Sequence, residues 1–396
     1  MAKFYLWGVI ASPYLLKMQS LLDAAGHEWE RWPEQGKRIP ATIMLARLER
    51  AKRRGEVKRF PRMSATMDEY PSVPFYSLDQ RNFYYDSSAL ALHLDTLPER
   101  DKAPLIPQDP ALAFICRLID EAFDEFGLYM AHHMRWVGSA RTTPMGVMTA
   151  QEMRSVLPPG FGPVLARGLP QRQVRRLPYL LSVAPDGYSA AVARLLTPSA
   201  RRGFPATHRL IDDAWQDYLA AMEYVLSAQP YLLGECFTLA DASAYGQLSM
   251  NLVDGDAADR LESVAPRAHR WLCAIRDGEH KETSSNVSLN RSLKPLLDII
   301  ADTFVPLMAQ NEEAYEQAVA AGETLFNEAA FDKSRALYAG QLRGHSFCSV
   351  VKTFQVQVWR DLKSQWQALP DSAREHLAAE FLGESASVLD GPGSPV

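Results

Sequence analysis

The stretch Tyr70–Leu97 constrains this chain more than any other. Val73-Pro74-Phe75-Tyr76-Ser77-Leu78 reads as a short apolar strand, Asp79-Gln80-Arg81-Asn82 as a polar turn, and Phe83-Tyr84-Tyr85 as a second, aromatic strand. Ser87 stands where a helix N-cap belongs, ahead of Ala89, Leu90, Leu92, His93 and Leu94. The result is a hairpin feeding a helix, with a proline at the start of its first strand. An X-Pro bond is cis in only about 5–6% of folded cases, so Pro74 in isolation predicts trans.

Upstream, Lys3–Ile10 reads as a buried strand. Ser12-Pro13-Tyr14 opens a helix with Ser at N-cap and Pro at N1, and Leu15, Met18, Leu21 and Leu22 recur at helical spacing before Gly26 stops it. His27–Trp32 supplies a second strand. Far downstream, Gln229-Pro-Tyr-Leu-Leu-Gly-Glu-Cys-Phe-Thr238-Leu-Ala-Asp241 sets Thr238 as N-cap and Asp241 at N3, a capping box with Asp in place of Glu or Gln.

Strand–helix–strand, then hairpin–helix, then this box resembles the glutathione S-transferase superfamily. The resemblance spans about residues 3–97 and, more loosely, 109–280. It implies an α+β thioredoxin-like N-terminal domain, then a mainly α-helical domain carrying a large insertion and a C-terminal helical extension. Along the chain that places the glutathione-binding domain at 1–97, a linker at 98–110 and the all-helical domain at 111–285, with its insertion at 138–204. A mainly helical extension at 286–381 and a Gly/Ser/Pro-rich disordered tail at 382–396 complete the division.

The resemblance also implies a cis bond at Pro74 and a set of site residues. Ser12, in the position that holds Ser or Cys in relatives, would activate the glutathione thiolate. Tyr5 and Tyr14 are rival phenol donors. Val73 would offer its backbone to the cysteinyl part of glutathione, Ser87 would hold the γ-glutamyl carboxylate, and Asp86, where relatives more often carry Glu, would take the α-amino group. An apolar or aromatic electrophile would lie against Tyr14, Met130, His133 and Trp136. Glutathione is thus expected as co-substrate of a detoxifying transferase or lyase, and the Ser-Pro-Tyr segment also resembles bacterial ether-cleaving enzymes. A homodimer is the family habit. A non-catalytic scaffold is the alternative, favoured by the insertion and the extension.

Composition narrows the partners. Net charge is −5 over 396 residues, so no global field recruits nucleic acid or anionic membrane. Cys116, Cys236, Cys273 and Cys348 are dispersed and suit a reducing cytoplasm. No run approaches the roughly 20 apolar residues of a membrane span, and the short apolar N-terminus lacks the flanks of a signal peptide. Lys37–Arg62 carries ten basic residues against Glu49 and Glu56, which reads as a solvated helix face or an anion-binding surface. Ala111–Trp136 is a long helix with Leu112, Ile115, Ile119, Phe123, Phe126 and Met130 on one stripe. His132-His133 point about 100° apart on it and have no ligand partner at metal spacing, so no metal is expected. Short helical pieces such as Ser189–Leu196 are expected in the insertion, which should cover the cleft as a lid.

Overall fold

A computed structural model of the chain describes residues 3–34, 36–59, 67, 73–97, 102–188, 200–282 and 284–391. The helical piece expected at Ser189–Leu196, Arg62 of the basic segment and part of the 98–110 linker lie outside the described residues.

The chain opens with β1 (Phe4–Trp7), α1 (Pro13–Ala24) and β2 (Trp29–Trp32). β1 and β2 pair in parallel, with Phe4 opposite Trp29 and Trp7 opposite Trp32, as a strand–helix–strand crossover allows. After α2 (Arg38–Arg53), β3 (Phe75–Ser77) runs antiparallel to β1, giving the order β2-β1-β3. α3 (Ser87–Thr96) closes this thioredoxin-like unit. The Val73–Pro74 bond is cis. Alternation along Phe4-Tyr5-Leu6-Trp7 covers both sheet faces. Phe4 and Leu6 join the main core beside Leu15 and Leu90, while Trp7 and Phe75 pack with Met44 and Leu48 of α2.

Two local expectations change. Phe83-Tyr84-Tyr85 forms a one-residue bridge rather than a strand. Tyr84 exchanges both backbone hydrogen bonds with Tyr76 at 2.8 Å, and Lys58 takes the outer groups of Phe83 and Tyr85. The N-cap of α3 is Asp86, not Ser87. Its carboxylate accepts the Ala89 N–H at 2.9 Å, the reach of a capping side chain to N3, and Ser87 becomes the first helical residue.

The second part begins with α4 (Pro110–Ala122), which continues through a π turn (Phe123–Gly127), α5 (Leu128–His133) and a second π turn (Met134–Gly138). The long helix is therefore real but twice widened. The insertion supplies α6 (Met145–Glu152) and α7 (Gly162–Arg176). α8 (His208–Ala228), α9 (Leu239–Leu248), α10 (Gly255–Val264) and α11 (Pro266–Arg276) follow. The box at the start of α9 is complete: the Asp241 carboxylate accepts from the Thr238 N–H at 2.9 Å, the Thr238 hydroxyl at 2.8 Å and the Leu232 N–H at 2.8 Å. α9 crosses α1 so closely that a Cβ on Gly246 would stand 2.8 Å from the Pro13 carbonyl oxygen, which is why glycine occupies that crossing.

The extension contributes α12 (Lys294–Asp302), α13 (Phe304–Ala320), α14 (Asn327–Asp332), the hairpin β4 (Leu337–Leu342) and β5 (His345–Val350), then α15 (Thr353–Gln367), α16 (Asp371–Leu377) and α17 (Ser385–Asp390). Arg343 and Gly344, at φ 51° and 77°, make the two-residue turn that matches strand twist. The disordered tail expected at 382–396 is corrected as far as residue 391. Leu389 of α17 is fully buried and Trp366 donates its indole N–H to Asp390 at 2.7 Å, so packing outweighs the Gly/Ser-rich composition. Nor is the extension an appendage, since Phe304, Trp359 and Trp366 share one continuous core with Phe114, Phe126 and Tyr218. The described residues include no helix long and apolar enough to cross a membrane.

Candidate functional site

The joint between the sheet unit and the long helix is held by a buried ionic cluster. Lys17, fully buried on α1, donates to Asp120 and Asp124 at 2.6 Å each and to the Ser88 hydroxyl at 2.7 Å. Arg117 completes the far side, paired with Asp120 at 2.5 Å and with Glu121. Burial pushes the Asp124 carboxyl up to about 6, against the pull of Lys17. Burial also lifts Glu121 well above the carboxylate range, with Arg117 opposing. Asp120 goes the other way: burial works against its ionisation, but Lys17 and Arg117 hold it below the usual value.

Directly above this cluster lies a cavity of about 440 Å³. Ser12, Tyr14, Val73, Pro74, Asp86 and Ser87 all line it. The opposite wall is a single face of the long helix: Glu121, Asp124, Glu125, Leu128, Tyr129 and His132. Leu169, Arg172, Arg176 and Tyr179 of the insertion border it, as do Lys352, Phe354 and Gln355 of the extension. Four separate parts of the chain therefore meet at one chamber.

Ser12 has extended N-cap backbone geometry, but its side chain makes no cap hydrogen bond with α1. Its hydroxyl is thus not consumed by capping, and it faces a cavity at the positive end of a twelve-residue helix. The loop before it is pinned from the helical side. Glu152 accepts the Ile10 N–H at 3.1 Å and pairs with Arg31 at 2.6 Å, while Arg135 donates to the Ala11 carbonyl at 3.4 Å. The rival phenols are otherwise engaged. Tyr14 donates to the Asp124 carbonyl at 2.9 Å, and Tyr5 packs at the sheet face covered by α2. Asp86 lines the chamber but pairs with Arg59, a side chain that also lies over the Phe354 ring at 5.7 Å. Among the described residues of the basic segment, Arg59 is thus the one that pairs with the chamber wall, through Asp86 and Phe354.

Three expected lining residues are elsewhere. Met130 is fully buried in the main core, and Trp136 packs in a small cluster with Met145, Val174 and Leu177. His133 is buried too, bonded through Nδ1 to Ser182 at 2.8 Å with Nε2 3.6 Å from Asp212. The physical reason is phase. Met130 and His133 prolong the apolar stripe of the long helix, which seeks the core, whereas the chamber lies against the neighbouring face at 121, 124, 125, 128, 129 and 132. That 3-1-3-1-3 run of mostly polar residues was the available sequence signal. Lys352 and Gln355 had none. Among the described residues no group of His, Cys, Asp and Glu is placed to hold a metal ion.

Two histidines predict a fold that loses stability in acid. Burial, with Arg135 nearby, lowers His132 to about 3, and burial beside His133 lowers His208 to about 3. A base depressed in this way stabilises the fold above its unfolded pKa of about 6.5, and that contribution fades as pH falls from there towards 3. Each should cost about 2 kcal/mol between pH 7 and pH 5. The raised carboxyls of Asp124 and Asp241, each at about 6, act in the opposite sense, because their ionisation ceases to penalise the fold in acid. Comparing variants isolates the histidine contribution. His132→Gln and His208→Gln should each flatten the urea-unfolding free energy against pH over this window, and unchanged slopes would remove the assignment.

No family model and no curated protein matches the chain. Among solved structures it is similar to a glutathione S-transferase from Methylobacillus flagellatus KT with GSH bound, at 14% identity and TM-score 0.36, over 69% of this chain and 98% of that one. It is also similar to one from Ceriporiopsis subvermispora in complex with glutathione, at 18% identity and TM-score 0.38, over 70% and 97%. A third, from Pseudomonas fluorescens Pf-5, has 18% identity and TM-score 0.30, over 69% and 94%. At such values the fold assignment rests on the chain's own β2-β1-β3 sheet followed by helices.

Proposed function

We propose that this chain is a glutathione-dependent transferase or lyase. The observation that carries the reading is the Ser12 hydroxyl, free of its capping role, in one chamber with Val73, Pro74 and the first turn of α3. A thiol ionises near pH 8.5 and reacts as thiolate, so a site that uses it must favour the anion. Ser12 would donate to the sulfur, and the N-terminus of α1 would add about 0.3–1 kcal/mol. Val73 would pair through its backbone, as an added strand does. The Ser87 hydroxyl and the amides of Ser87 and Ser88, which precede the Ala89 N–H capped by Asp86, would receive the γ-glutamyl carboxylate. Asp86 would meet the α-amino group on a carboxylate it shares with Arg59.

The electrophile would lie beyond, among Leu128, Tyr129, Leu169, Tyr179 and Phe354. Those rings and aliphatic groups favour an apolar or aromatic molecule, and cleavage of an aryl ether falls within that class.

Calorimetric titration with reduced glutathione tests the reading. Saturable binding is expected, weakened roughly tenfold or more in Ser87→Ala by loss of a hydrogen bond to a charged group. Absence of binding at millimolar glutathione would overturn it in favour of a non-catalytic scaffold.

A further inference from the structure

The insertion brings polar groups to the chamber that are left unpaired among the described residues. Thr149 of α6 lines the cavity and is 5% exposed, yet its hydroxyl has no hydrogen-bond partner. It does not even use the Met145 carbonyl one turn back, the usual resort of a threonine inside a helix. On α7, Leu169, Arg172, Gln173 and Arg176 line the cavity at i, i+3, i+4 and i+7, which is one helix face. Gln173 Oε1 is likewise buried without a partner. Of the cations in the lining, Arg176 bonds to Glu328 at 3.0 Å and Lys352 to the Tyr129 oxygen at 2.6 Å. Arg172, exposed at the rim, forms no ion pair among the described residues.

These groups stand on a braced wall. Glu152, one turn beyond Thr149, accepts the Ile10 N–H and pairs with Arg31. Ala11, next to Ser12, packs against the cluster of Trp136, Met145, Val174 and Leu177 that ties α6 to α7. A buried hydroxyl without a partner costs free energy, so a wall that keeps one is arranged for a molecule that completes it. Leu169 shares the α7 face with Arg172 and Gln173, so the apolar part of that molecule lies against the same wall as its polar part.

We propose that Thr149, Arg172 and Gln173 form a carboxylate subsite for the second substrate. The proposal rests on the glutathione reading for its nucleophile and deepens it by naming the substrate class: an apolar or aromatic electrophile that carries an acid group. The carboxylate accepts from the Thr149 hydroxyl and from the Arg172 guanidinium. An amide presents either end by a half-turn, so Gln173 turns its NH2 to the remaining oxygen. Arg172 supplies the charge selection, because the other lining cations are already engaged. Its rim position is solvated, so its contribution fades with salt, whereas the buried Thr149 contact persists.

Two measurements on the full chain test it. The first compares 4-(chloromethyl)benzoate with 4-methylbenzyl chloride in the presence of glutathione, two electrophiles that react at the same kind of carbon and differ in charge. The wild type should prefer the acid, and Thr149→Val should reduce that preference in kcat/KM about tenfold, the loss of one hydrogen bond to a charge. Arg172→Met should reduce it about fivefold at low salt and hardly at all at about 0.5 M salt. The second needs no turnover. 4-Methylbenzoate should bind in calorimetry more tightly than 4-methylbenzamide, and Thr149→Val should weaken it about tenfold while leaving the urea midpoint unchanged or higher. That pairing separates a ligand contact from a structural one, since valine keeps the shape and removes an unpaired hydroxyl. Benzoate binding that is absent, no tighter than the amide, or unchanged in both variants would overturn the proposal. So would a loss of glutathione affinity in Thr149→Val with the acid preference intact, which would give these groups to the glycyl carboxylate of glutathione. Benzoate binding without glutathione binding keeps the subsite and discards the glutathione reading, and the reverse pattern does the opposite.

Discussion

Lys17→Met should destabilise the protein by about 3–5 kcal/mol, the largest single effect expected from a side chain outside the hydrophobic core. The argument is one of unpaired charge. Lys17 is fully buried and its ammonium makes three hydrogen bonds, to Asp120, Asp124 and Ser88. Met fits the stem, so no large cavity opens. Two carboxylates would then lose a cation at 2.6 Å. At that range an ion pair is worth several kcal/mol even at an effective dielectric near 20. Arg117 compensates Asp120 in part, through its contact at 2.5 Å. Asp124, already raised to about 6 by burial, would become protonated at neutral pH. Equilibrium urea unfolding at pH 7.5 measures the loss, and a change below about 1 kcal/mol would mean that the cluster is nearly balanced by its own desolvation. Because Asp124 and Ser88 also border the chamber, the variant should lose glutathione affinity along with stability.

Ser12→Ala should cut kcat/KM with glutathione by about 10–100-fold at neutral pH while changing glutathione affinity far less. A hydrogen bond to a charged group is worth about 1.5–3 kcal/mol, and here it would be strongest to the thiolate rather than to the neutral thiol. The diagnostic is the pH profile. The alkaline shift of the rate–pH curve, and of the ultraviolet thiolate absorbance of the bound tripeptide, should approach the free-thiol value near 8.5. Since the Ser12 side chain makes no cap bond, the substitution should leave helix stability almost untouched, unlike the usual loss of about 1 kcal/mol at an N-cap. If turnover survives with an unshifted profile, the thiolate is stabilised elsewhere, and the α1 terminus is the remaining device.

Much of the N-terminal unit was legible because its signals are local. The apolar run within Lys3–Ile10, the Ser-Pro start of α1 and the strand opening at Pro74 each act within a few residues, and the strands they predict pair in one sheet. The capping box at Thr238 and Asp241 is local in the same way, and its hydrogen bonds form as the spacing requires. The errors have equally definite sources. Asp86 displaced Ser87 as cap because the longer acidic side chain can cap Ala89 while pairing with Arg59. Met130, His133 and Trp136 were placed in the chamber although the first two lie on the core stripe, a question of helical phase that a 3.6-residue count alone answers. The tail was judged by composition, which does not see Leu389 packing or Asp390 meeting the Trp366 indole.

Sequence alone determined the strand, helix and turn signals of the N-terminal unit and the helical second part, which act over short range; the grouping of Ser12, Val73, Pro74, Asp86 and Ser87 was only what the family resemblance implied, and they all line one chamber. Only the tertiary structure decided what faces them. Lys352 and Gln355 meet Tyr129 across more than 220 positions of chain, as their separations of 223 and 226 show. Contacts of that span leave no periodicity or motif behind. They exist because the extension buries Trp359 and Trp366 in the common core, and that burial, driven by apolar area rather than by pattern, carries the N-terminus of α15 into the chamber.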